Sequence, residues 1–126
     1  MKQPALSRQT VRVVPRWRIY CGDDIAVGPG KIELLARVQE TGSLLEAAKA
    51  MDMSYMRAWL LVKTMNRCFT DPVVELTRGG KAGGGAVLTE TGQRVLSLYR
   101  ELEEASLTRT RSVQRRILSL FKSGSS

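Results

Sequence analysis

Residues 43–69, SLLEAAKAMDMSYMRAWLLVKTMNRCF, contain the signals for two helices joined by a short turn. Ser43 and Glu46 have the S-x-x-E spacing of a capping box, in which the hydroxyl accepts from the third helical amide and the carboxylate reaches back to the cap amide. This spacing predicts a helix over 44–51. Ser54 is placed to cap a second helix that runs to about Phe69. A three-residue connection separates the two, which is typical of a helix-turn-helix.

The apolar residues of this stretch predict which sides of the two helices face a core. In the second helix they recur at three- and four-residue spacing and predict an inward face of Ala58, Leu61, Val62, Met65 and Phe69. In the first helix, Ala47 and Ala48 are small residues at a point where the two helices must approach closely. Asp71 precedes a proline and therefore disfavours the helical region, so the second helix ends before it.

Two elements are predicted upstream. WRIYC (17–21) alternates apolar with polar or aromatic residues and meets a GDD turn, which predicts a strand or short hairpin reaching Val27. A proline then precedes KIELLARVQE (31–40), whose helix stops at 41–42 and whose predicted core face is Ile32, Leu35, Ala36 and Val38. Residues 1–15 are polar and basic without periodicity, so we expect a flexible basic arm.

A hairpin and a long helix are predicted downstream. The runs VVELT (73–77) and AVL (86–88) flank a glycine-rich stretch and predict two short strands. Thr89 can cap a final helix, which would measure about 45 Å if unbroken. Because the small core could not cover such a length, we predict a dimer contact through its apolar residues Val95, Leu98, Tyr99, Leu102, Val113 and Ile117.

The composition favours one basic domain. The 126 residues carry 20 Lys and Arg against 12 Asp and Glu, a net charge of +8, which suits a polyanionic partner. The sequence has no histidine and no CxxC pair, so we predict no metal site. We expect Cys21 and Cys68 to be buried or half-buried thiols in a reducing cytoplasm. No apolar run has the length of a membrane span or of a signal peptide, and we predict a cytoplasmic protein without membrane contact.

The order of these elements predicts a winged helix-turn-helix, mainly α with a small β hairpin and a long C-terminal dimerisation helix. We place the domain at 16–89 and the dimerisation helix at 90–122. A helix fits the major groove of B-DNA, where an arginine can bind guanine through two hydrogen bonds. The predicted DNA contacts are Ser54, Tyr55, Met56, Arg57 and Lys63 in the second helix of the motif, with Arg78, Lys81, Gly83 and Gly84 in the hairpin loop.

A homodimer of such domains favours a palindromic site in double-stranded DNA and predicts a sequence-specific transcription regulator. The alternatives are a winged helix that acts as a protein-interaction adaptor, and a protein that binds nucleic acid without sequence preference. The basic second half of the final helix is also compatible with a membrane-surface helix. We do not expect an enzyme, because the common general base histidine is missing and no motif places two carboxylates together.

Three groups of residues resemble one known family. They are Ser-Tyr-x-Arg-Ala-Trp at 54–59, Asn66 ahead of an aromatic, and Leu-Thr-x-x-Gly at 88–92 after the glycine-rich loop. With them, residues 16–104 resemble the N-terminal DNA-binding domain of the ModE family of molybdate-responsive regulators, which is similar to LysR-type winged helices. The resemblance implies DNA contacts by Ser54, Tyr55 and Arg57, a wing at 79–85, and a dimer formed by the first and last helices.

The chain departs from that family at two residues and in one larger feature. The family commonly has lysine at the position of Met56, so a cation is missing from the DNA-reading helix. It commonly has glycine at the position of Asp52, and we expect the turn to survive because aspartate adopts left-handed backbone more readily than most residues. Full-length members also carry a molybdate-binding part, and no residues here match it. We therefore expect a single-domain version that has no cofactor of its own.

Overall fold

The structure is a computed structural model that describes residues 11–77 and 85–122. It contains two compact units, Arg16–Glu101 and a second that includes residues 11–15 and 102–122. The elements are β1 (Ile19–Cys21), β2 (Asp24–Val27), α1 (Pro29–Thr41), α2 (Leu44–Ala50), α3 (Tyr55–Cys68), β3 (Val74–Thr77), β4 (Gly85–Leu88), α4 (Glu90–Arg109) and α5 (Arg111–Leu118). This order confirms the predicted fold class, a winged helix-turn-helix that is mainly α.

The core of the Arg16–Glu101 unit gathers around α1. Of the face predicted for this helix, Ile32, Leu35 and Val38 are buried and Ala36 is half-buried. Leu34, which the periodicity missed, is also fully buried. The buried surface of α1 is wider than one stripe because the helix contacts α2, β2 and β4.

The helix-turn-helix is formed by α2, a short turn and α3. Ser43 caps α2, since its Oγ accepts from the Glu46 amide at 3.1 Å. The second half of the predicted capping box is wrong, because the Ser43 amide donates to Thr41 Oγ1 at 3.2 Å and the Glu46 carboxylate lies 3.8 Å from Lys49 Nζ. Ser54 caps α3 as predicted, with its Oγ 3.1 Å from the Arg57 amide nitrogen.

The turn between α2 and α3 depends on a left-handed residue. The Asp52 amide donates to the Lys49 carbonyl and the Met53 amide donates to the Ala48 carbonyl, both at 3.0 Å. This pair of bonds is the Schellman arrangement, which requires positive φ at the residue after the helix cap. Asp52 has φ +58°, so the turn that was expected to survive an aspartate is present.

Two antiparallel hairpins flank the helices. The first pairs Ile19 with Val27 and Cys21 with Asp24, and the second pairs Val74 with Leu88 in a regular register. The second hairpin is attached to the start of α2, since Ser43 bridges to β4 and the Ala86 amide donates to the Gly42 carbonyl at 3.1 Å. Backbone hydrogen bonds therefore join the base of the wing to the helix-turn-helix.

The structure explains why the segment 88–92 contains the Leu-Thr-x-x-Gly sequence. Thr89 Oγ1 accepts from the Gly92 amide at 2.9 Å and donates to the Pro72 carbonyl at 2.6 Å, so it caps α4 and joins it to the segment before β3. A Cβ at position 92 would collide with the Val73 carbonyl oxygen. Glycine is needed there because the backbone of α4 approaches β3 closely.

The C-terminal helical segment is divided at Thr110, where α4 ends and α5 follows. Ser106 Oγ donates to the Leu102 carbonyl at 2.7 Å, and Thr110 Oγ1 donates to the Ser106 carbonyl at 2.6 Å. Such hydroxyl bonds to the carbonyl four residues back weaken and bend helices. The unbroken rod considered for this segment is therefore two helices.

Candidate nucleic-acid interface

The outward face of α3 consists of Met56, Arg57, Leu60 and Lys63. These residues project away from the buried side of α3, which is formed by Ala58, Val62 and Met65. Met56 is 60% exposed and Leu60 is 52% exposed, and both cations are exposed. Leu60 was missed by the sequence prediction, although its position one helical turn after Met56 was a usable signal.

All the α3 residues predicted to contact DNA lie at the surface. Tyr55 is 38% exposed, and Ser54 is exposed at the first turn. The Ser54 hydroxyl accepts from the Arg57 amide, which leaves its own proton available to a phosphate oxygen. Their contact with DNA stays a prediction, whereas their accessibility is now established.

Lys63 is held against an aromatic ring. Its Nζ lies 5.2 Å from the centroid of the Trp59 ring, within the range of a cation–π interaction. Trp59 is half-buried and packs against the core, so it gives the lysine a fixed support. The ammonium group is therefore positioned over the outward face of α3.

The charge on α3 is uniformly positive. Its sequence, YMRAWLLVKTMNRC, contains three cations and no acidic residue. Arg67 pairs with Asp24 on β2, with Nη2 and Oδ2 2.6 Å apart. In the part of the chain that the structure describes, no carboxylate pairs with Arg57 or Lys63. These two cations are thus the ones on α3 that remain for an external anion.

Lys31 on α1 adds to this positive field. Burial lowers the pKa of Lys31, and the charge of Arg57 lowers it further, while Asp24 and Cys68 act in the opposite direction. The charge of Arg57 therefore acts on Lys31, as the smallest of the four influences on this pKa. The sequence prediction did not include Lys31, because the proximity of α1 to α3 is a tertiary feature.

Three features hold α3 in place. Ala47 and Ala48 of α2 and Ala58 of α3 are fully buried, and the two helices contact each other. At the other end, the Asn66 side chain bonds to the backbone at the start of β3. The Arg67–Asp24 ion pair joins the same end to β2. The helix is therefore anchored on three sides, and its outward face is uncovered.

The predicted wing contacts Arg78, Lys81, Gly83 and Gly84 lie outside the described residues. The base of the wing is described, with Thr77 paired to Gly85 at the end of the hairpin. The strands that carry the loop therefore start from the body of the domain beside α2, as a wing requires.

The residues predicted for dimerisation divide into three groups by their burial. Tyr99 is 3% exposed and its hydroxyl donates to the Trp17 carbonyl at 2.7 Å, so it serves the core of its own protomer. Val95 and Leu102 are half-buried. Leu98 on α4 is exposed, as are Val113 and Ile117 on α5. The exposed group stays available for a second copy.

The two cysteines are free thiols in different surroundings. Cys21 is exposed, as are the other two residues of the short strand β1, so the expectation that it is at least half-buried is wrong. Cys68 is half-buried as expected. A hydrogen bond with Cys21, together with burial, raises the pKa of the Cys68 thiol. Among the described residues, no group of three or more acidic or cysteine side chains could hold a metal ion.

Comparisons with known proteins agree with this geometry. No family model matches the chain. The chain is 44% identical over 71 residues to the DNA-binding transcriptional dual regulator ModE of Escherichia coli strain K12, an alignment that covers 56% of this chain and 27% of that protein. The chain therefore resembles ModE-type regulators over more than half of its length. It is also 43% identical over 77 residues to the molybdenum-pterin-binding protein MopB of Rhodobacter capsulatus, covering 61% of this chain and 28% of the relative.

The aligned part of this chain spans less than a third of the length of these relatives. Its fold is similar to that of a chain in the crystal structure of the CbnR_DBD–DNA complex, with a TM-score of 0.52 and 21% identity, over 73% of this chain and 97% of that one. The resemblance predicted from the sequence is confirmed. No helix in residues 11–77 and 85–122 is long and apolar enough to cross a membrane.

Proposed function

We propose that this chain contains a ModE-type DNA-binding domain and is a transcription regulator that binds double-stranded DNA sequence-specifically through α3. The proposal is carried by the outward face of α3, where Arg57 and Lys63 are exposed on a helix without acidic residues. An α-helix fits the major groove, and the preceding helix, α2, supports α3 in that position. The net charge of +8 favours the same partner.

The names of the relatives support a link to molybdenum. They include a molybdenum transport protein of Azotobacter vinelandii, 40% identical over 78 residues, besides the regulator and the pterin-binding protein above. We propose that the regulated genes are related to molybdenum, and that DNA binding by this chain uses its own residues without a cofactor. The role is binding and not catalysis.

The experiment is enrichment of random duplex DNA on the purified 126-residue chain, with and without molybdate. We expect one enriched site, a steep salt dependence, and the same site under both conditions. Arg57→Ala should weaken binding to that site by about 1–3 kcal/mol and reduce the sequence preference at one base pair. Lys81→Ala should weaken binding to all sequences equally. Arg94→Ala, an exposed cation on α4, is the control with the same loss of charge.

Parent-like binding by Arg57→Ala would contradict the placement of α3 in the groove. An absence of enrichment, together with capture of a cellular protein in a pull-down, would favour the adaptor function instead. DNA binding by Arg57→Ala is compared with DNA binding by Arg94→Ala, because the Arg94 variant measures the effect of net charge alone.

The proposed functional unit is a homodimer on a palindromic site. On α5, Val113 and Ile117 lie one turn apart and are 48% and 55% exposed, and no residue of this helix is buried in the protomer. A pair of apolar side chains of this kind is typically covered by another surface. We expect sedimentation at twice the mass of one chain, and a monomer for Ile117→Glu but not for Ser112→Glu, which adds the same charge elsewhere on α5. A monomeric parent would refute the dimer.

A further inference from the structure

The outward face of α3 is apolar as well as basic. Met56 and Leu60 are separated by one helical turn, so their side chains are neighbours, and more than half of each is exposed. Single exposed apolar residues are ordinary on protein surfaces. Met56 and Leu60 are adjacent exposed apolar residues, and Arg57 and Lys63 border them on the same face. This arrangement points to a partner that has apolar groups among negative charges.

The major groove of DNA offers one such apolar group. Of the four bases, only thymine presents a methyl group there, beside hydrogen-bond acceptors and between phosphates. Charge complementarity favours DNA over a protein partner, because α3 has no acidic residue and two of its cations have no carboxylate partner in the described ranges. A lysine at position 56 would bind acceptors instead.

We propose that Met56 and Leu60 contact thymine methyl groups, so that each half of the binding site contains thymines next to the base pair contacted by Arg57. The inference rests on the proposed DNA-binding function and names the base chemistry that its reading helix selects.

The magnitude follows from burial of one methyl group. Removing such a group from an apolar contact should weaken binding about fourfold. If the contributions of two contacted thymines in one half-site add, removing both methyl groups should weaken binding about 16-fold.

The experiment replaces each thymine of the enriched duplex in turn by deoxyuridine, which lacks the methyl group and keeps the same base pairing. We expect a loss of about fourfold at two positions per half-site for the parent chain. For the Leu60→Ala variant, deoxyuridine should no longer weaken binding at one of these positions. For the Met56→Ala variant, it should no longer weaken binding at the other position. Both variants keep a good helix former at an exposed position, so the fold is retained.

Ile19→Ala is the control, since Ile19 on β1 is 47% exposed and lies outside α3. It should keep the full deoxyuridine pattern. Equal binding of thymine and deoxyuridine duplexes at every position would overturn the inference while the DNA-binding function stands. An unchanged pattern in Leu60→Ala and Met56→Ala would also overturn it, and would leave this face to a protein partner. No binding to any duplex would overturn both the inference and the proposed function.

Discussion

Replacing Asn66 by alanine removes the side chain that joins the end of α3 to β3. Asn66 Oδ1 accepts from the amides of Val73 at 2.8 Å and Val74 at 3.3 Å, and Nδ2 donates to the Val74 carbonyl at 3.0 Å. Val73 is 0% exposed and Val74 is 2% exposed, so water does not replace these bonds easily. The substitution therefore leaves buried backbone groups without partners.

The expected cost is about 3 kcal/mol of unfolding free energy. Each buried polar group left unsatisfied costs about 1–3 kcal/mol, and the longer bond to the Val74 amide contributes least. For a domain of about 100 residues, this corresponds to a melting temperature lower by about 12–24 °C. Asn66→Asp keeps the accepting oxygen and loses the Nδ2 donor, so we expect a smaller loss.

The assay is urea and thermal unfolding followed by circular dichroism. Gln93→Ala on the exposed side of α4 is the matched control, and it should stay within about 0.5 kcal/mol of the parent. A loss below about 1 kcal/mol for Asn66→Ala would refute the reasoning, because it would mean that the Val73 and Val74 amides are satisfied in another way.

Three further substitutions or modifications test other parts of the structure. Asp52→Gly should stabilise the domain by about 0.5–1 kcal/mol and Asp52→Ala should destabilise it, since φ is positive there, and a lower melting temperature for the glycine variant would contradict the turn. Gly92→Ala should cost about 2 kcal/mol in urea unfolding because its Cβ meets the Val73 carbonyl, despite the better helix propensity of alanine, and a neutral result would contradict that close approach. Iodoacetamide followed by peptide mass spectrometry should label the exposed Cys21 before Cys68. Because the pKa of Cys68 is raised, its thiolate fraction and labelling should increase only at more alkaline pH; equal rates at neutral pH would contradict this.

Much of the fold is predictable because its signals are local. Ser43, Ser54 and Thr89 each cap the helix that follows, as their spacing predicted, since a capping bond joins residues three apart. The Asp52 turn is equally local. The capping box failed in its second half because Thr41, outside the motif, supplies the acceptor for the Ser43 amide.

The candidate site is less predictable, because exposure and pairing depend on distant neighbours. The sequence identified Arg57 and Lys63 as accessible cations on α3 but could not distinguish Arg67, which an ion pair 43 residues away in sequence joins to Asp24. It also assigned Tyr99 to a dimer, whereas the hydroxyl bonds to Trp17, 82 residues away.

The order of the helices and strands, their caps and turns, and the basic character of α3 can all be predicted from the residues of each segment. Each of these depends on residues within a few positions of one another, where backbone geometry leaves little choice. Which apolar and charged residues stay uncovered, including Leu60 on α3 and Ile117 on α5, is visible only in the folded chain. Burial is a property of packed elements, and periodicity along one helix does not specify what lies across from it.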